Sequence, residues 1–199
     1  MKLIFFLFGL AFGEISNVDG LNPPPVFVSR PLEKRQTVSN SNFSYLTLSQ
    51  TLFNAHVRAR TNPLGFAQEL AAFGDLAASY IAGNATKTGG LLDNAYLRKA
   101  GQVLVLDQNS TGLIGHIGSN GSTPWSRMNQ FGTWQIVAGE NIAYGPSTSL
   151  GVMSILIKSA LHFANIYRPS FTLLGVFCGP HPNYVTSCVF DFTGGFIPN

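Results

Sequence analysis

Apolar residues recur at helical spacing first at Leu48, Leu52, Ala55, His56 and Ala59, after a capping pair Thr47/Gln50, and Asn62-Pro63 ends the run. This predicts a first helix. Asn62 and Pro63 suit the cap and first position of a second, with Phe66, Leu70, Phe73, Ala77 and Ile81 on one stripe and Gly74 weakening its middle. A third helix is predicted from about Asp93 to Gln108, with Tyr96, Ala100, Val103 and Leu104 inward. A fourth starts near Ser147 and is apolar on nearly every side. Between the third and fourth lies a loop-rich stretch, GLIGHIGSNGSTPWSRMNQFGTW, of the kind that builds sites rather than core, followed by a short strand near Gln135 to Ala143. The runs FTLLGVFC and YVTSCVFDF around GPHPN read as a C-terminal hairpin. Helices with a mostly antiparallel sheet make an α+β domain.

The N-terminus carries different signals. Lys2 and the ten-residue run LIFFLFGLAF, with Ala11 and Gly13 at the small positions of a cut after Gly13, read as a secretory signal over residues 1–13. The run is too short for a membrane span, and no later segment is long enough either. Residues 14–45 contain Pro23-Pro24-Pro25, show no helical or strand period, and read as a linker or a propeptide, with a possible cut after the Lys34-Arg35 pair. The folded domain is expected over 46–199. The chain is therefore expected outside the cell, where Cys178 and Cys188 pair as a disulfide across the hairpin and the sequons at Asn42, Asn84, Asn109 and Asn120 are glycan candidates.

At 199 residues there is room for one domain. Twelve Lys plus Arg stand against 9 Asp plus Glu, only 11% of residues are charged, and basic residues form no patch, so a nucleic-acid partner is excluded. The 45% hydrophobic content excludes a disordered chain. Nucleophile elbows, HExxH, CxxC and phosphate loops are all missing from the sequence. What remains is His116 in its glycine-rich loop, Glu140 in AGENIAYG and His162 in ALHFANIY. Two imidazoles beside a carboxylate suit a Zn²⁺ site with His116 and His162 as metal ligands and Glu140 as the cleft acid, with an open place for water. His56 is expected to pack on the sheet or bond a backbone carbonyl, His181 to be exposed in the hairpin turn, and Trp125 and Trp134 to line a groove or plug the edge of the core.

The stretches GHIGSNGSTPWSRMNQFGTWQIVAGENIAYG and HFANIYRPSFTLLGVFCGPHPNYVTSCVFDFTGGF, with FNAHVRARTNP, resemble the CAP superfamily, the cysteine-rich secretory, antigen 5 and pathogenesis-related 1 proteins with an SCP domain. The resemblance spans most of residues 46–196. It implies a three-layer α-β-α sandwich and a cleft where two His and two acids meet. His116 and His162 match the two histidines and Glu140 the acid of the GEN motif. It also implies a divalent metal on the histidines and binding of sterols, fatty acids or other lipids. One departure stands out: the segment before His162, SILIKSALHF, is shorter than in the family, and no Asp or Glu occurs from Asn141 through Val189. The second acid is thus expected to be missing, with Asp191 in a structural strand position. A secreted, non-enzymatic, monomeric binding protein for a sterol or fatty acid, or one acting by surface recognition in defence, is the expectation. The alternative is a zinc-dependent, peptidase-like hydrolase with Glu140 as base.

Overall fold

The computed structural model describes residues 44–199, together with the backbone of Phe27–Val28. In chain order the elements are β1 (Phe27–Val28), α1 (Tyr45–Thr61), α2 (Pro63–Ala72), α3 (Ala77–Asn84), β2 (Leu92–Asp93), α4 (Ala95–Thr111), α5 (Pro124–Asn129), β3 (Gly132–Tyr144), α6 (Ser149–Ile157), α7 (Ala160–Ile166), β4 (Leu173–His181) and β5 (Tyr184–Pro198). They build one five-stranded sheet of order β1-β3-β5-β4-β2. Its long ladders, β3 with β5 and β4 with β5, are antiparallel, and the two-residue edge strands β1 and β2 add in parallel, so the sheet is mixed. The signal residues, residues 14–26 and 29–43 of the predicted linker, the Arg35 cut and Asn42 lie outside the described residues, while the last two linker residues cap and open α1. Within that linker, Phe27–Val28 forms a strand beside Ala143–Tyr144, which a segment with no period of its own did not announce.

Alternation along the strands divides the helices between two faces. Cys188, Phe190 and Phe192 of β5 belong with Leu52, Ala55, Phe66, Leu156 and Ile157 in the larger apolar core, under α1, α2, α3, α6 and α7. On the other face Val189, Ile142 and Tyr144 pack with Leu104 and Val105 of α4, and Leu97, Ala100 and Met128 form a further cluster there under α4 and α5. The result is the expected α-β-α sandwich. Gly175 allows α4 to lie close: a Cβ there would meet the backbone of Leu97 and Arg98 at 2.2–2.4 Å.

The predicted second helix is two. Gly74 adopts φ +81°, a conformation that favours glycine, and the Asp75 carboxylate accepts the Ala77 N–H (2.7 Å) to start α3 afresh. Asp75 also holds Ser154 and Lys158, so the break ties α3 to α6. The predicted fourth helix also divides: α6 and α7 meet at 114°. No single helix among the described residues is long and apolar enough to cross a membrane. The site loop contains α5, whose Thr123 and Ser126 form a reciprocal capping box. In β3 a bulge between Gln135 and Ala138 leaves the β-branched Ile136 at φ +68° and 74% exposed. The cysteine pair bridges directly opposed positions of the hairpin, Cys178 and Cys188, as expected.

His56 is fully buried, with Nδ1 2.8 Å from the Leu52 carbonyl and its ring 4.8 Å from that of Phe190. Burial lowers its pKa to about 4, below the 6.5 of an ordinary histidine. The unfolded chain therefore takes up this proton first as pH falls, and the native state loses stability between pH 6.5 and 4. Thermal melts at pH 7.5 and 4.5 should show the acid loss reduced by about 2–3 kcal/mol in His56→Leu relative to the unaltered protein. An identical pH dependence in the two would contradict this.

Candidate functional site

The site is assembled on the α4/α5 face of the sheet. Gly112, at φ +73°, ends α4 and releases the loop that carries His116. That loop is tethered at successive points. The Gln108 amide donates to the Gly115 carbonyl (2.8 Å) and to the Tyr144 hydroxyl (2.7 Å), while the Gly115 N–H donates to the same hydroxyl (3.0 Å). Ser187 donates to the Gln108 amide oxygen (2.8 Å), which fixes the orientation of Gln108. Burial raises the pKa of the Tyr144 hydroxyl, keeping it neutral.

His181 adds a tether at Leu113 and corrects an expectation. It is buried rather than exposed in the turn: β4 continues to His181, and β5 resumes at Tyr184, so the ring folds back over Tyr144. The Asn183 N–H donates to its Nδ1 (3.2 Å), so the proton is on Nε2, which donates to the Leu113 carbonyl (3.0 Å). Further along, Asp107 of α4 accepts the Ser119 N–H (2.8 Å) and its hydroxyl.

At the centre, His116 Nδ1 donates to Glu140 Oε1 at 2.7 Å and Arg127 Nη2 to Glu140 Oε2 at 2.8 Å. Arg127 Nη1 also donates to the carbonyls of His116 (3.0 Å) and Ser122 (2.9 Å). All three side chains are buried, Arg127 and Glu140 at 0% and 1% exposure. Both oxygens of Glu140 are thus committed, one to the loop and one to α5. Arg127 was not among the residues singled out in the sequence. Its signal was an arginine one turn into a Pro-capped segment between a candidate His and a candidate Glu.

A second carboxyl stands beside Glu140: Asp191 of β5, in the strand position expected for it, lies directly opposite Glu140 of β3 in the ladder, so the two carboxyls share a face. Strand pairing brings these two residues, remote in the chain, together. Burial, and then the Glu140 charge, push the Asp191 carboxyl well above the usual carboxylate range against the pull of Arg127, which favours its neutral form.

His162 is placed differently. It lies on α7, with its carbonyl accepting the Asn141 amide (3.1 Å), and Asn165 donates to Asn141 Oδ1 (2.8 Å). Asn141 and Glu140 are neighbours in a strand and point to opposite faces. α7 is therefore on the α1 side of the sheet, across from His116. Zinc takes three or four donors, and among the described residues no three His, Cys, Asp or Glu side chains converge to hold a metal ion. The donor set does not fit the implied zinc.

The remaining candidates fall around this centre. Trp125 and Trp134 lie 6.4 Å apart at the edge of the Leu97, Ala100 and Met128 cluster, closing the core. Asn84, Asn109 and Asn120 are exposed, at the end of α3, on α4 and in the His116 loop. Leu113, Ile114 and Ile117 flank His116 and stay 47%, 49% and 47% exposed.

No family model and no curated protein matches the sequence. Among solved structures the chain is similar to an extracellular protein containing an SCP domain from Bacillus anthracis, with a TM-score of 0.54 and 18% identity over 75% of this chain. The match covers 41% of that protein, so this chain spans about two fifths of its length. It is also similar to an outer surface protein from Borrelia burgdorferi, with a TM-score of 0.55 and 14% identity, covering 75% of this chain and 94% of that one. At these identities the likeness is one of fold: the chain has the α-β-α fold of an SCP domain.

Proposed function

We propose that this chain is an extracellular SCP-domain protein that binds a small apolar ligand of the sterol or fatty-acid class and performs no catalysis. One observation carries the reading. The His116 loop is anchored to Gln108, Tyr144, Asp107, Arg127 and His181, yet holds three aliphatic side chains, Leu113, Ile114 and Ile117, half in solvent. An anchored loop loses little conformational freedom when something covers it, so apolar area buried there converts to affinity with little ordering cost. Clustered exposed aliphatics are how soluble domains present binding surfaces.

The chemistry beneath the loop supports binding rather than turnover. A general base needs a free lone pair within reach of a water or substrate proton. Glu140 is buried at 1% exposure between His116 and Arg127, and the environment of Asp191 favours the acid form. Extracellular placement agrees with the signal-like N-terminus, the cystine and the neighbours' descriptions.

A fluorescent sterol and a fluorescent fatty acid test this directly. At least one should be retained saturably by the purified full chain, and the double substitution Leu113→Ser, Ile117→Ser should weaken retention about tenfold, near 1.4 kcal/mol, while the melting midpoint stays unchanged. Retention of neither tracer above a heat-denatured control would overturn the proposal.

A further inference from the structure

Glu140 must have a counter-charge, because a carboxylate at 1% exposure is costly to bury alone. The resemblance supplies one in the form of a divalent ion held with two histidines. This chain supplies another. Arg127 is wholly buried and lies 2.8 Å from Glu140 Oε2, with its second terminal nitrogen on the carbonyls of His116 and Ser122. The groups facing this space can be counted element by element. β3 contributes Glu140 and Tyr144, β5 Asp191, the loop His116, and α5 Arg127. The residues α4 buries here, Leu97, Ala100, Gly101, Leu104, Val105 and Gln108, carry no charge. Among the described residues, Arg127 is then the one permanent cation in a space holding two carboxyl groups.

We infer that the Arg127 guanidinium takes the place of a metal in this chain: it is the built-in cation of Glu140 and, through the His116 and Ser122 carbonyls, the tether of the loop. The inference is independent of whether an apolar ligand binds above. Geometry favours it in two ways. A guanidinium fixes a carboxylate oxygen and two carbonyls at once through its rigid fork, whereas among the described residues no three His, Cys, Asp or Glu side chains converge on a zinc ion, His162 being on the far side of the sheet. His116 also turns Nδ1 to Glu140, leaving Nε2 as a lone ring nitrogen where a metal needs three or four donors.

Two measurements on the full chain test this. Zinc chloride titrated by calorimetry into the protein should give no saturable binding that depends on His116. Binding of one equivalent that His116→Ala abolishes would overturn the inference, whereas binding unchanged in His116→Ala would be at other residues and would leave it standing. Separately, Arg127→Met should raise amide hydrogen exchange of residues 113–122 at least tenfold, and Arg127→Lys, which keeps the charge without the fork, should fall between. Should Arg127→Met not fold, Arg127→Lys alone decides: exchange in the loop equal to that of the unaltered protein would contradict a guanidinium tether.

Discussion

A buried carboxylate facing a buried guanidinium holds the α4/α5 side of this domain together. Glu140 is fixed in the middle of the longest ladder of the sheet, and through it α5 and the His116 loop are attached to a strand that cannot move without breaking the core. Taking both ions out of water is expensive, and that cost is offset by hydrogen bonds to both: two guanidinium nitrogens on three oxygens from one side, an imidazole N–H from the other. Remove one member and the other is left charged in an apolar setting. The loop could then no longer sit where it does.

The opposite face of the sheet uses a second buried arginine in another way. Arg60 of α1 donates to the carbonyls of Gly89, Ile166, Arg168 and Phe171, stitching the end of α1 to the chain following α7. Its partners are all neutral, and the core around it is the larger apolar one. One face therefore carries the bulk of the hydrophobic packing, and the other carries a polar cluster roofed by a loop with exposed aliphatics. This separation lets the loop vary in side chain without disturbing the main core.

Elements with a local signal were legible in the sequence. The apolar stripe of α1 and its stop at Asn62, the hairpin, its cystine and the packing of His56 all follow from residues a few positions apart, although α1 is capped by Ser44 rather than by the Thr47/Gln50 pair. So did the approach of His116 to Glu140, through the resemblance rather than through spacing. What escaped was set by topology. Asp191 faces Glu140 only because β5 lies beside β3, and His162 is separated from His116 only because α7 packs on the Asn141 side of that strand. The Gly74 weakness was visible, but its consequence, a new helix whose first N–H is held by Asp75, depended on a contact with α6. His181 looked like a turn residue until the loop after α4 was laid against it.

The coupling between Arg127 and Glu140 is the most direct test of this account, and thermal or denaturant unfolding of Arg127→Met, Glu140→Gln and the double variant measures it. Each single substitution should destabilise the domain by about 3–5 kcal/mol, since it strands a buried charge. The double variant should be no worse than either single one, giving a coupling energy of at least about 2 kcal/mol. Additive losses in the double variant would mean that the pair is not what holds the site, and would contradict the account.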